Sequence, residues 1–463
     1  MRRGRPSPAE PASEDGLTES LLFGLIRLGW AYRVELALVG LPLVGWRWMA
    51  AQLGRAAATA ALCALLVTVV LVPVTRRWVW RCLAASHLRR AWERAHRLAP
   101  IVAFKGQVPL ILKQRRVPAG QALEVKVPPG GAVSDLEVAA ERLAAVLGAR
   151  EVRVRRDPAS AARARVTIVR RDPLAEGAVL AWPRLEVESM SLWEPVPVGV
   201  DEEGEVVSVA LAERNVLFSG EPGSGKSAAM GTLVAAAALD PSVKLYLLDG
   251  KQVELATWAG VATWSVGPDV QRATALLRGL LAEMDLRYAQ LLARRHRKVG
   301  RQDGMGLQVV VCDELALYLA GPDRKARTEF AEALRDLVAR GRAAGIIVLA
   351  ATQKPSSDIV PTSLRDLFGF RWALRCTTRE ASDTILGSGW ASLGYSAADI
   401  DPTARGVGYL LHEGGLPVRL RSFYLSDDQL QTLAERAEHV RSTAQVPGSD
   451  AEIRGDARPE GEA

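Results

Sequence analysis

The stretch that most constrains this chain is Gly220-Glu221-Pro222-Gly223-Ser224-Gly225-Lys226-Ser227. It follows the apolar run Asn215 to Ser219 and precedes the alanine-rich, helix-compatible residues Ala228 to Leu239. Strand, glycine-rich turn and helix in that order form a phosphate-binding loop: the glycines let the backbone approach closely, and successive N–H groups and the helix N-terminus face an anion. Residues Gly220 through Ala228 are therefore expected to cradle the phosphates of ATP. Lys226 reaches the β and γ phosphates in such a loop, and Ser227 holds Mg²⁺.

A second stretch supplies the chemistry that such a loop needs. Leu307-Gln-Val-Val-Val-Cys-Asp313-Glu314 reads as a buried strand ending in two adjacent carboxylates. A parallel strand that stops at an acid delivers it to the carboxyl edge of the sheet, beside the phosphate loop. Asp313 is the expected Mg²⁺ residue, and Glu314 the base that polarises the attacking water. Gly345 to Ala351 reads as a further strand, bringing Thr352 and Gln353 to the same edge, where the Gln353 amide is placed to sense the γ phosphate. Strands near 215, 243, 308, 346, 370 and 406 alternate with helical stretches. That alternation predicts an α/β motor domain with a mostly parallel P-loop (RecA-like) sheet over 186–425.

With 463 residues there is chain for two or three domains. Residues 1–16 are rich in Pro, Glu, Ser and Arg and read as a disordered tail; 17–99 read as a membrane anchor of one or two transmembrane helices. Within the anchor, Ala56 to Thr75 runs without a charge, long enough to cross a hydrocarbon core of ~30 Å. Val34 to Trp46 is apolar but shorter and carries Glu35 and Pro42. Arg76, Arg77, Arg81, Arg89, Arg90, Arg94 and Arg97 follow, which by the positive-inside rule puts the motor in the cytoplasm of a membrane-bound protein. Trp30, Trp46, Trp48, Trp78 and Trp80 fall where interfacial aromatic belts belong.

Residues 100–185 read as a small α+β accessory domain. Ser134-Asp-Leu-Glu137 has the form of a capping box opening a helix that ends at Gly148, and Glu151–Arg155 with Ala164–Val169 alternate as a β hairpin with a basic face. Trp182 to Gly199 reads as a proline-rich connector, and 426–463 as a last helix and a disordered tail. The net charge of +7 permits polyanion or anionic-membrane partners. Four cysteines without paired spacing and five scattered histidines give no support to a disulfide framework or zinc site.

Several motifs together resemble the FtsK/SpoIIIE family of hexameric DNA-pumping ATPases over roughly 100 to 425. Asp249-Gly-Lys251 resembles the family's Asp-Pro-Lys, and Glu283-Met-Asp-Leu-Arg287-Tyr288 its Glu-Met-x-x-Arg-Tyr helix. Asp313-Glu-Leu-Ala316, Arg342-Ala-Ala-Gly-Ile346 and Ala351-Thr-Gln-Lys-Pro355 match as well. The resemblance implies double-stranded DNA as the partner, a homo-oligomer in the form of a hexameric ring, and ATP hydrolysis coupled to translocation. A single motor after a membrane anchor is most like the transfer proteins of actinomycete conjugative plasmids and integrative elements, so conjugation stands beside chromosome segregation. The resemblance also implies a trans-acting arginine near Phe370-Arg371-Trp-Ala-Leu-Arg375; Arg371 aligns first, then Arg375 and Arg379. Asp383 stands where the family often has an arginine implied to face DNA, a departure from its pattern; the Gly-rich stretch Gly387 to Arg405, too irregular for the sheet, is the candidate for DNA contacts in a ring's channel. The alternative is a protein-secretion motor of the type VII kind, which usually strings several such motors together.

Overall fold

The computed structural model describes residues 29, 32–174, 179–320, 322–353 and 360–444. It forms two compact units, Met1–Arg171 and Asp172–Ala463. The expected tails at 1–16 and 447–463, with Trp30, lie outside the described residues.

The first unit opens with three helices, α1 (Arg33–Leu53), α2 (Arg55–Leu71) and α3 (Pro73–Leu98). Among the described residues α1 is the one helix long and apolar enough to span a bilayer, with none of its apolar stretch buried. The charge-free run Ala56 to Thr75 is not one helix, which corrects the expectation above. Val72 is extended, Pro73 begins a new helix, and α2 and α3 are bent by 86°. Proline disfavours a helical residue before it and suits the first turn of the next helix. By itself α2 spans about 26 Å, short of the ~30 Å core.

The C-terminal half of α3 buries Leu88, Trp92 and Ala95 in a core shared with a four-stranded antiparallel sheet. Its strands are β1 (Leu110–Val117), β2 (Gly120–Lys126), β3 (Glu151–Asp157) and β4 (Ser160–Val169), in the order β1-β2-β4-β3. Helix α4 (Val133–Leu147) lies in the same core through Leu136, Ala139 and Leu143 and stops at Gly148, whose φ of 58° is left-handed. Ser134 is not its cap: the helix begins one residue earlier, and Asp135 accepts from the Ala132 N–H at 2.7 Å. An acid at the third helical position reaches back to the N-cap N–H, here that of Ala132 rather than the Ser134 N–H that Glu137 would have reached. The hairpin expected at 151–169 forms; the β1–β2 hairpin that doubles it was not read from the sequence.

The second unit is a ten-stranded sheet built from β5 (Val196–Asp201), β6 (Val206–Val209), β7 (Val216–Ser219), β8 (Lys244–Leu248), β9 (Trp264–Val266), β10 (Gln308–Cys312), β11 (Ile346–Thr352), β12 (Phe370–Leu374), β13 (Val407–His412) and β14 (Val418–Ser422). The order is β6-β5-β14-β13-β12-β7-β11-β10-β8-β9. Strands β12, β7, β11, β10, β8 and β9 are parallel to one another, and the remaining pairings are antiparallel. Strands buried on both faces read as unbroken apolar runs, and β10 and β11 are buried at every residue. Helices α5 (Lys226–Ala238), α6 (Val270–Ala293), α7 (Leu315–Leu319), α8 (Arg324–Arg340), α9 (Thr362–Arg365), α10 (Arg379–Leu386) and α11 (Asp427–Thr443) complete the unit.

The motor begins before the expected residue 186. Leu174 and Trp182 are buried in its core, and the Trp182 indole N–H donates to the Pro197 carbonyl at 3.0 Å. The expected connector therefore carries a core residue near one end and ends in strand β5.

Candidate functional site

Strand β7 sits between β11 and β12, so its exit places the glycine-rich loop at the middle of the sheet's carboxyl edge. The loop Gly220–Gly225 leads straight into α5. Gly223 and Gly225 have φ of 77° and 97°, a region that side-chain-bearing residues avoid. A Cβ on Gly225 would stand 2.5 Å from the Gly406 backbone nitrogen, so this glycine is also demanded by close approach. The loop is braced at both ends: the Glu221 N–H donates to the Arg375 carbonyl at 3.0 Å, and the Gly406 N–H to the Ser224 carbonyl at 2.8 Å. The Glu221 carboxylate pairs with Arg375 at 2.9 Å and accepts from the Thr377 hydroxyl. Gly406 was missed by sequence reasoning; its position immediately before a strand was the available signal. Ser227 and Gly223 are exposed in the loop, and Ala228 is half-buried.

Lys226, the first residue of α5, is buried, with its ammonium 3.5 Å from Glu314 Oε2. Burial holds its pKa below the usual lysine range, and the neighbouring Lys251 acts in the same direction, while Glu314 and Asp313 oppose both. A cation held out of water beside glycine N–H groups is a strong receptor for phosphate oxygens.

Asp313 and Glu314 leave β10 at the same edge, both buried. Asp313 Oδ1 accepts from the Gly250 N–H at 2.8 Å, while Oδ2 is buried without a partner. Burial pushes the Asp313 carboxyl above its usual range. Asp249, at the exit of β8, repeats the pattern: Oδ2 accepts from the Leu255 N–H at 3.0 Å and Oδ1 has no partner. Buried carboxylate oxygens without donors fit a hard cation or its bound waters. Among the described residues no three His, Cys, Asp or Glu side chains are grouped to hold a metal ion. Glu314 accepts the Gln353 N–H at 3.1 Å, so β11 orients it through the backbone.

The three arginines separate. Arg371 is the second residue of β12, level with Leu217 and short of the loop; it pairs with Asp366 at 3.4 Å. Arg375 lies beside the loop, held by Glu221, and Arg379 is exposed and pairs with Asp399 at 3.5 Å. The segment 387–405 is folded rather than open. The Asp383 carboxylate accepts from the Gly389 and Ala391 N–H groups at 2.9 and 2.7 Å, and Trp390, Tyr395 and Tyr409 meet edge to face. Asp383 is thus a capping residue for this segment.

Residues 183–309, which include the loop and the first two residues of β10, match the family model described as FtsK/SpoIIIE family. The chain carries an FtsK/SpoIIIE domain. The DNA translocase SftA of Bacillus subtilis (strain 168) is 30% identical over 263 residues, covering 53% of this chain and 26% of that protein. The DNA translocase FtsK of Corynebacterium glutamicum is 26% identical over 279 residues, covering 55% of this chain and 29% of that protein. The chain thus spans under a third of the length of either relative. Among solved structures, that of the pCW3 conjugation coupling protein TcpA, monomer form with ATPγS, is similar with a TM-score of 0.49 and 17% identity, covering 76% of this chain and 99% of that one. The sheet of the FtsK/SpoIIIE domain continues beyond the matched residues, through β11 to β14.

Proposed function

We propose that the chain is a membrane-anchored, ATP-driven translocase of double-stranded DNA, working as a hexameric ring with its motor in the cytoplasm and moving DNA between cells in conjugation or during chromosome segregation. The observation that carries this reading is the convergence of Lys226, Asp313 and Glu314 on one phosphate loop in an FtsK/SpoIIIE domain. The relatives described as DNA translocases support the choice of cargo, and α1 with the arginine-rich α3 supports the anchor.

In this reading the backbone of Gly220 to Ala228 and the Lys226 ammonium bind the triphosphate. Ser227 and the partnerless Asp313 Oδ2 would hold Mg²⁺, which when bound would supply neutralising charge to the phosphates. Glu314 takes a proton from the attacking water as its oxygen bonds to the γ phosphorus and the bond to ADP breaks. Gln353, joined to Glu314 through its N–H, reports the γ phosphate to β11. Arg371 lies at the entry half of β12, away from its own loop, and serves the neighbouring subunit's site, where an arginine stabilises charge developing on the γ phosphate. The test is ATP turnover by the full chain in detergent with duplex DNA, single-stranded DNA or no polymer. Duplex DNA should stimulate turnover most; turnover indifferent to any DNA would remove the translocase reading. Lys226→Ala and Arg371→Ala subunits, each inactive alone, should regain part of the activity when mixed. No recovery in verified mixed rings would remove Arg371 from the role.

A further inference from the structure

The first unit carries a charged surface that the ATP site does not use. One face of its four-stranded sheet is covered by α3 and α4, through Leu123, Val125, Val152, Val166 and Ile168. The alternation of the strands sends the other residues to the opposite face. Registers β1–β2, β2–β4 and β4–β3 place there Lys113 and Arg115, then Lys126, then Arg163 and Arg165, then Arg153 and Arg155. Against these seven cations the face holds Glu124, Glu151 and Asp157, a net charge of +4. Lys113, Arg115, Lys126, Arg155, Arg163 and Arg165 are all exposed.

Some of these charges face their like across the strands. Arg155 stands directly opposite Arg165, and Lys126 directly opposite Arg163. Like charges facing each other across strands are unfavourable. Two of the cations have acids beside them, Lys113 with Glu124 at 3.4 Å and Arg153 with Glu151 at 2.8 Å, and the acids of the face are outnumbered. Arginine dominates, the residue whose planar fork matches phosphate oxygens. Along β3 and β4 the cations repeat every ~6.7 Å, about two steps of the 3.4 Å rise per phosphate on a DNA strand. The face carries no aromatic residue to stack on bases, and its large apolar side chains are the exposed Leu110 at the start of β1 and the buried Val117 and Val169. We infer that this outer sheet face is a sequence-independent binding surface for the phosphate backbone of duplex DNA, separate from the motor. The inference rests on the DNA reading above and assigns the first unit a part in it.

The test uses the full chain in neutral phosphatidylcholine nanodiscs, titrated with a labelled duplex of about 30 base pairs between roughly 50 and 200 mM salt. Substituting Lys126, Arg155, Arg163 and Arg165 together by Gln should weaken duplex binding at least about tenfold and lower the salt slope by up to about four, one for each lost phosphate contact. DNA-free ATP turnover should be unchanged, and the thermal transition unchanged or higher because like-charge pairs are gone. Substituting the three arginines by Lys should keep most of the salt slope, which separates lost charge from a damaged sheet. Wild-type affinity and slope in the Gln variant, with the parent chain binding duplex, would overturn the surface and leave the DNA reading standing. A parent chain that binds no duplex would instead overturn the DNA reading. Duplex binding unchanged in the Gln variant but binding to phosphatidylglycerol vesicles lost would assign the face to lipid headgroups and overturn the proposal.

Discussion

Helix α5 presents the phosphate loop at its N-terminus, and its other end is closed by one residue far away in sequence. Arg441 of α11 donates from Nε to the Ala238 carbonyl at 2.8 Å, from Nη1 to Val243 at 2.8 Å, and from Nη2 to Ala237 and Asp240 at 3.0 Å each. A helix leaves its last carbonyls without internal partners, and this guanidinium satisfies them while adding positive charge at the negative end of the dipole. Replacement by Met keeps the aliphatic stem and removes four charge-assisted bonds. Each is worth about 1.5–3 kcal/mol in isolation. The sum is not realised, because burial disfavours the charged form of Arg441 and part of that cost is recovered on removal. A net loss of about 3 kcal/mol is expected, the scale of breaking a buried polar network. At about 2–3 °C per kcal/mol, the motor's thermal transition should fall by about 6–9 °C. Lysine, a point donor without the fork, should recover less than half. Saturating ATP, bound only by the folded loop, should restore about 2.7 kcal/mol at a hundredfold excess over its Kd. Differential scanning fluorimetry with and without nucleotide measures all three. A transition for Arg441→Met within about 1 °C of the parent would show that these carbonyls are satisfied by water and refute the reasoning.

Glu314→Gln should retain ATP binding and lose at least about a hundredfold in turnover, measured by filter binding and phosphate release. Lys226→Ala should lose both, since it removes the buried ammonium beside Glu314. Gly225→Ala forces a φ of 97° on a residue with a Cβ and drives that Cβ against Gly406. The conformation alone costs about 1–2 kcal/mol, so ATP affinity should fall about tenfold or more by calorimetry. Chelation of Mg²⁺ should stop turnover, and restoring Mg²⁺ should recover it, measured by phosphate release.

The parallel half of the motor was legible because its strands are buried on both faces and read as runs such as Val309-Val310-Val311. Of its antiparallel edge only β13, the strand expected near 406, was legible. Strand β5 contains Pro197 within what reads as a linker, and β14 alternates Arg419 and Arg421 with apolar residues over only five positions. The break in the second apolar run was not legible for a related reason. Counting charge-free residues across Ala56–Thr75 ignores that Pro73 ends one helix and starts another, whereas α1 keeps Pro42 inside a continuous helix. At the site, Lys226, Asp313 and Glu314 were legible because each sits in a local strand-and-turn pattern. The bracing of the loop by Arg375 and Gly406 was not, since those contacts join segments distant in sequence.

The shared motifs carry a further distinction that position in the sheet resolves. Arg287 of the Glu-Met-Asp-Leu-Arg-Tyr helix is buried and donates to the carbonyls of Gly306 and Ala344 at 2.9 and 3.0 Å. Arg342 donates to the Glu213 carbonyl at 2.7 Å and pairs with Glu413 at 2.9 Å. Gly306, Ala344 and Glu213 precede β10, β11 and β7, so both arginines lock the entry ends of the strands whose exits form the ATP site. At the exits, Glu314 meets the Lys226 ammonium at 3.5 Å and Asp313 accepts from the Gly250 N–H at 2.8 Å. Two motifs can therefore mark the same family for opposite reasons. One fixes where strands begin so that the other reaches the phosphates in register, and substitution at Arg287 should cost stability before it changes the chemistry.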